Sequence, residues 1–286
     1  MLERAPSFPH GSGERLAERR RVRRRRAIIA FGILLLLLLA TVIYGLWQSA
    51  VRISRIDVYS ANPSLAEYAR SEMQGSYLGI IPRDSFFFFP ASSIRADIIS
   101  AHPDIAAVSI FRNGLTGISI KTSDRVPIAR WCGSTPDAAR FDLNASSTRS
   151  NLVARENCYV FDASGYIFAT ATSTTQALNS FTLYAPLDND SAEPIRATIA
   201  HSEIVPHAFD FARQLDTLGS PVTNVVLRDD EVDDYLTSGT RITYVLGHEN
   251  DAFTALVSAN AGLNLADGSL EYIDLRFDGR VYLKRK

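Results

Sequence analysis

The segment Ala27–Trp47, AIIAFGILLLLLLATVIYGLW, runs 21 residues without a charge. As a helix rising 1.5 Å per residue it measures about 30 Å, the thickness of a bilayer's hydrocarbon core. Such a segment divides the chain, because the residues before it and the residues after it lie on opposite sides of a membrane. The charges divide the same way. Residues 1–26 carry nine arginines against three acids, 9 − 3 = +6, and the remaining residues carry 21 − 28 = −7, so the total of −1 averages two compartments. The arginine block at the near end predicts a cytoplasmic N-terminus, and Tyr44 and Trp47 suit the headgroup region at the far end. A cleaved signal peptide fits less well. Its apolar region is usually ~7–15 residues, and Gln48-Ser49-Ala50 places Gln where cleavage needs a small side chain. The arginines lack the interleaved aromatics of a nucleic-acid patch, and attraction to anionic lipid accounts for them. The expectation is a single-pass anchor from Ala27 to Trp47, touching lipid through the helix and the arginine block, with no nucleic-acid partner.

No later stretch reaches the ~18 apolar residues of a second span. Residues 48–286 are therefore expected outside the cytoplasmic membrane, where Cys132 and Cys158 can be oxidised. A disulfide between them would close a segment rich in Ser, Thr, Asn, Asp and Ala, stabilising by ~3 kcal/mol in the chain-entropy model. Two free thiols are the alternative, and two cysteines without a nearby histidine make a poor zinc site.

After the anchor, Arg52–Tyr59 alternates as a strand does. Leu65, Tyr68, Ala69 and Met73 then repeat with helical spacing up to Gly75. A second helix is expected with Ser92 or Ser93 as its cap and Ile94, Ile98 and Ile99 on one face. Strands over Ala106–Phe111 and Gly117–Thr122 come next, joined through Asn113-Gly114. The order β-α-α-β-β predicts one small sheet with two helices on one face. Four consecutive aromatics, Phe86–Phe89, cannot all face one core. The segment is expected to be enclosed in a core on both sides, and the alternative is that one side meets the membrane interface or a partner. From residue 125 onward short strands dominate, interrupted by helices over Ile204–Leu218 and Asp251–Ala261. The fold class expected is α+β: an N-terminal transmembrane helix, the β-α-α-β-β module, and a mostly antiparallel β-sheet domain with helices.

Residues able to do chemistry do not form a recognisable set. His201 and His207 flank Glu203, but six residues separate them and Pro206 intervenes, so the i, i+4 zinc geometry is lost. A helix start, with Ser202 as cap and Glu203 favoured by the dipole, explains the pattern. The acidic run Asp229, Asp230, Glu231, Asp233, Asp234 lacks the mid-loop glycine and distal glutamate of a calcium loop and reads as a solvated loop. No nucleophile elbow, phosphate loop or dinucleotide fingerprint occurs. Asp162 and Asp274 stand in strand-turn contexts where carboxylates accept backbone N–H bonds. The expectation is a non-enzyme with no metal, cofactor or small-molecule substrate.

Three segments carry a family resemblance: DRVPIARW at Asp124–Trp131, YVFDASGYIF at Tyr159–Phe168 and YIDLRFDGRV at Tyr272–Val281. With the basic tail, the single anchor and the strand-helix order, they resemble the FtsQ/DivIB family of bacterial divisome proteins. The first segment is similar to the "Pro-x-Ala-x-Trp" junction where a POTRA module enters the β domain. The second is similar to a hairpin with the pattern aromatic-apolar-apolar-Asp-x-x-Gly-x-x-Phe, and the third to the closing strand and turn. The resemblance implies a basic cytoplasmic tail over 1–26, a transmembrane helix over 27–47, a POTRA domain over 50–124 and a β domain over 125–286. The segment 133–157 is an insertion that the family does not explain.

The function implied by the resemblance is that of a bitopic scaffold in the cytoplasmic membrane at the division septum. Such a scaffold binds FtsB/DivIC- and FtsL-like proteins and helps control septal peptidoglycan synthesis. Partner binding by β-strand augmentation at the C-terminal sheet edge would fall on Arg276, Phe277, Asp278, Gly279, Arg280 and Tyr282. Arg276 would offer a charge to a partner carboxylate, and Phe277, where the family often has Tyr, a flat apolar surface. The closing Lys284-Arg285-Lys286 would attract an acidic partner. The alternative reading is a membrane-anchored envelope POTRA module for protein secretion or assembly.

Overall fold

The computed structural model describes residues 12–60, 62–134, 158–172, 175–189, 193–259, 263–277 and 279–286, with backbone alone for 12–19. Helix α1 runs over Ser12–Leu46, so the arginine block and the apolar segment form one continuous helix. Its part from Arg20 to Leu46 is long and apolar enough to cross a membrane, and none of its most apolar stretch is buried. Ile28, Phe31 and Leu34–Leu39 all stand exposed. Soluble monomers rarely expose so large an unbroken apolar surface.

The chain's contacts divide it into two compact units: residues up to Ser100 with Val108–Thr122, and Ala101–Ala107 with Ser123–Lys286. In the first, β1 (Arg55–Tyr59), α2 (Leu65–Glu72), a short hairpin of β2 (Ser76–Tyr77) and β3 (Ile81–Pro82), α3 (Ala91–Ala101), β4 (Ile105–Arg112) and β5 (Gly117–Asp124) succeed one another. The sheet order is β1-β5-β4. Strands β1 and β5 run parallel, pairing Ile56 with Ile118 and Val58 with Ile120, so the chain between them must cross over. Leu65 and Ala69 on α2, Ile94 and Ile98 on α3, and Ile118 and Ile120 on β5 are fully buried. Each helix thus buries an i, i+4 pair. The turn into β5 admits only glycine at 117, since a Cβ there would stand 2.5 Å from the Asn113 carbonyl oxygen.

In the second unit nine strands form one sheet among the described residues. They are β6 (Ala129–Trp131), β7 (Tyr159–Phe161), β8 (Ile167–Thr170), β9 (Thr182–Tyr184), β10 (Val222–Arg228), β11 (Glu231–Leu236), β12 (Arg241–Val245), β13 (Leu270–Asp274) and β14 (Tyr282–Arg285). The order is β14-β13-β12-β11-β10-β9-β6-β7-β8. Most neighbours are antiparallel, but β9–β10, β6–β9 and β12–β13 are parallel pairs. Helices α4 (Val205–Asp216) and α5 (Glu249–Ala259) contribute Phe209, Phe211, Ala212, Leu215, Ala252 and Leu256 to the core. Phe211 packs on Tyr244 at 4.3 Å between ring centroids, and Phe209 on Phe181 at 4.9 Å.

Four local expectations change. Helix α3 starts at Ala91, directly after Pro90, so Ser92 and Ser93 lie inside its first turn and do not cap it. The Pro90 carbonyl accepts from the Ile94 N–H at 3.0 Å, the first bond of the helix. Helix α4 has Ile204 at its N-cap with no side-chain bond, so Ser202 is no cap, and Pro206 takes the first turn. The acidic run is not a solvated loop. Only Asp229 and Asp230 turn, while Glu231–Leu236 is a central strand with Asp233 and Asp234 buried. Phe87 and Phe88 are exposed and do not belong to a core.

Candidate protein-interaction edge

The chemistry of a sheet edge is a row of backbone N–H and C=O groups with no partner, and this sheet ends at β8 on one side and β14 on the other. The β8 edge is covered at its start. Ile167 N–H donates to the Ala197 carbonyl at 2.9 Å, Arg196 N–H donates to the Ile167 carbonyl at 2.8 Å, and Tyr166 bridges to Thr198. Strand β14 pairs only inward, antiparallel to β13, with Asp274 opposite Tyr282 and Ile273 opposite Leu283. All four of its residues are exposed, and no strand lies outside it among the described residues.

The segment leading into this edge is held by Asp274 and Arg276. Arg276 Nε and Nη2 donate to the two Asp274 oxygens at 2.9 and 2.6 Å, its backbone N–H donates to the same carboxylate, and Nη1 donates to Glu231 at 2.6 Å. The guanidinium holds the Asp274 carboxyl below the ordinary carboxylate range, outweighing the effect of burial. Both carboxylate contacts of Arg276 lie within the chain, so it shapes the 275–277 turn and does not present a free charge. Lys284 is likewise engaged, with Glu271 at 2.8 Å.

The surface that the edge presents is aromatic. The Phe277 and Tyr282 rings pack edge to face with centroids 5.2 Å apart, and they remain 52% and 47% exposed. Leu283 adds an exposed side chain on the opposite face of β14. Beside Phe277 a cleft of about 160 Å³ opens between α5 and the turn, lined by Ala252, Ala255, Leu275 and Gly279. Gly279 has φ +65, which closes the turn without a Cβ in the cleft. Arg280 is exposed beside it. Asp278 lies outside the described residues.

The other two family-like segments meet each other. Arg125 pairs with Asp162 and lies over the Tyr166 ring at 4.1 Å, while its Nε donates to the Pro103 carbonyl at 3.0 Å. Asp162 also accepts from Ser164 Oγ at 2.6 Å and from the backbone N–H groups of Ser164 and Tyr166. Burial raises this carboxyl, but those bonds and Arg125 outweigh burial and leave it below the usual range. Trp131 is buried and donates its indole N–H to the Ala185 carbonyl at 2.9 Å. These motifs therefore build the scaffold. Removing Arg125 strands a mostly buried carboxylate, so Arg125→Ala should destabilise the unit by about 2–3 kcal/mol. Arg125→Ala with Asp162→Asn should lose less than the sum of the single variants, as chemical denaturation of the four proteins would measure.

Cys132 and Cys158 form a disulfide. Cys132 comes directly after Trp131 and Cys158 directly before Tyr159, and these two neighbours pair across β6 and β7, so the bond ties adjacent strands at the mouth of the insertion. Residues 135–157 of that insertion lie outside the described residues. His201 sits in a turn with φ +57 and His207 is exposed on α4. Among the described residues no group of three or more His, Cys, Asp or Glu is placed to hold a metal ion. No protein-family model and no curated protein matches this chain.

The sequence missed the buried acids. Asp233 is held on the polar face of the sheet by Arg228 and by Thr243 Oγ1 at 2.6 Å. Asp234 points the other way and is fully buried. The Tyr244 hydroxyl approaches its carboxyl without closing a well-formed hydrogen bond. Burial pushes the Asp234 carboxyl well above its ordinary range, Tyr244 opposes this, and Asp233 and Glu249 reinforce it. The only signal available was the alternation of Val232, Asp234 and Leu236.

Proposed function

We propose that this chain is a bitopic scaffold of the FtsQ/DivIB type. Its arginine-rich N-terminus lies in the cytoplasm and α1 crosses the membrane. The first unit is a POTRA-type module, and the second binds protein partners at the division septum. The observation that carries the reading is the difference between the two sheet edges: β8 is covered at its start by residues 196–199, and β14 has no strand outside it among the described residues and lies beside an exposed aromatic pair.

The mechanism is β-strand addition. A strand from an FtsB/DivIC-like partner pairs with the outer N–H and C=O groups of β14, which supply affinity without regard to sequence. Specificity comes from side chains. One face of the incoming strand meets Phe277 and Tyr282, the other meets Leu283, and the cleft at Gly279 accepts an apolar anchor. The Arg276 bonds to Asp274 and Glu231 keep the turn in place before binding, which lowers the ordering cost at association. An FtsL-like protein joins through the same assembly, and the complex regulates peptidoglycan synthesis without catalysis by this chain.

Localisation of a fluorescently tagged full chain tests the reading. Midcell enrichment that depends on the exported units supports it, and even peripheral staining in dividing cells overturns it.

A further inference from the structure

Two exposed apolar tips stand beside the exit of α1, and both are tied to it. The first is the β2–β3 hairpin. The Trp47 indole N–H donates to the Ile80 carbonyl at 2.8 Å. The second is the Phe run. Phe86 N–H donates to the Val51 carbonyl at 2.9 Å, Ile53 N–H to the Asp84 carbonyl at 2.8 Å, and Arg52 clamps Asp84 through two nitrogens. Residues 51–53 come only four to six positions after Trp47. At about 3.3–3.6 Å per residue at full extension, that leaves the two tips within roughly 20 Å of chain from the end of the anchor.

The residues at these tips are the wrong ones for water. The hairpin turn has Leu78 at φ +52 and Gly79 at φ +73, with Ile80 N–H bonded to the Tyr77 carbonyl. A turn with positive φ at both central positions favours Asn-Gly, because the left-handed region penalises a bulky Cβ substituent. This chain places leucine there, 95% exposed. In the Phe run, Arg112 lies over the Phe86 and Phe89 rings at 5.1 and 5.3 Å and donates to the Phe86 carbonyl, so the outer two rings of the run are occupied. Phe87 and Phe88 project away, about half exposed each. Phe87 packs edge to face on Phe86, with centroids 5.5 Å apart, and Leu78 stands almost wholly outside the packing of the unit.

We propose that Leu78, Ile80, Phe87 and Phe88 dip into the outer headgroup region of the bilayer that α1 crosses, so that the first unit rests on the membrane at a second place besides its anchor. The occupant is lipid and not protein, because the hairpin is bonded to Trp47, an aromatic suited to the headgroup region, and the Phe run to Val51, four residues further on. The inference rests on α1 spanning a bilayer. Its consequence is mechanical, since one anchor leaves a module free to swing and two contacts restrict it.

The test uses the full chain in nanodiscs of phosphatidylcholine and phosphatidylglycerol. Both native cysteines are bonded, so an introduced cysteine takes an environment-sensitive fluorophore alone. Probes at Leu78→Cys and Phe87→Cys should lose about half their emission to a shallow nitroxide lipid, and a probe at Tyr59→Cys should lose little. Phe87→Asp should weaken quenching at Leu78→Cys without lowering the melting temperature. A probe at Leu36→Cys, at the middle of the span, reports the anchor when read against a nitroxide placed deep in the acyl chains. Quenching there, with none above the Tyr59→Cys level at positions 78 and 87, overturns the proposal and leaves the anchor standing. No quenching at Leu36→Cys removes both. If Phe87→Cys fails to fold, Phe88→Cys replaces it with the same expected outcome.

Discussion

Phe277→Ala combined with Tyr282→Ala should weaken capture of an FtsB/DivIC-like partner by about 100-fold, which corresponds to about 2.7 kcal/mol of lost anchor contacts. The two rings already stand half in water and pack mainly on each other, so their truncation should leave thermal unfolding of the second unit almost unchanged. Arg276→Ala makes the informative contrast. It frees Asp274 and Glu231 from their shared guanidinium and loosens the turn that presents Phe277. Capture should fall, with a measurable drop in stability accompanying it. Pull-down by the full chain from detergent-solubilised membranes, alongside melting curves, separates the two. Undiminished capture by the double aromatic variant would remove β14 as the binding edge.

Asp234→Asn should make the protein more stable at neutral pH and should lose that advantage in acid. The folded state raises this carboxyl's pKa, so folding favours the protonated form. Below the unfolded pKa, near 3.9, both states are protonated and no penalty exists. As pH rises above it the unfolded chain ionises first, and stability falls by about 1.4 kcal/mol per pH unit until the folded-state pKa is passed. Asparagine removes that slope. At pH 7 the variant should melt higher by about 2–4 °C for each kcal/mol recovered, and near pH 4 the two curves should converge. Asp162 contributes the opposite slope, because its carboxyl is held low and its stabilisation is lost as pH falls through the folded pKa. That term is common to both proteins and cancels in the difference. Equal melting temperatures across the whole range would mean that Asp234 is not buried as an acid.

Most elements with a clean period were legible. Leu65 and Ala69, Ile94 and Ile98, and Val205 to Leu215 mark helices, and all are buried on the face their spacing indicates. Strand β11 was not, since Glu231, Asp233 and Asp234 look like a solvated run until Arg228, Thr243 and Tyr244 arrive from neighbouring strands to face them. The β domain was expected to be mostly antiparallel, and three parallel pairs enter it: α4 carries the chain across between β9 and β10 and α5 between β12 and β13, while β6 meets β9 across two intervening strands. Phe86–Phe89 shows the same division within four residues. Composition marks the run as unusual, and only Arg112, from β4, decides that Phe86 and Phe89 are covered while Phe87 and Phe88 are not.

The amino-acid sequence alone determined the apolar helix from Ala27 to Trp47, the opposite charges on its two sides and the helical faces, because each depends on contiguous residues and local geometry. Tertiary structure decided which sheet edge stays open, that Arg276 is spent within the chain, and that an acidic segment runs through the core. Those outcomes depend on contacts between residues far apart in sequence, where one ion pair or one covering segment changes what is exposed.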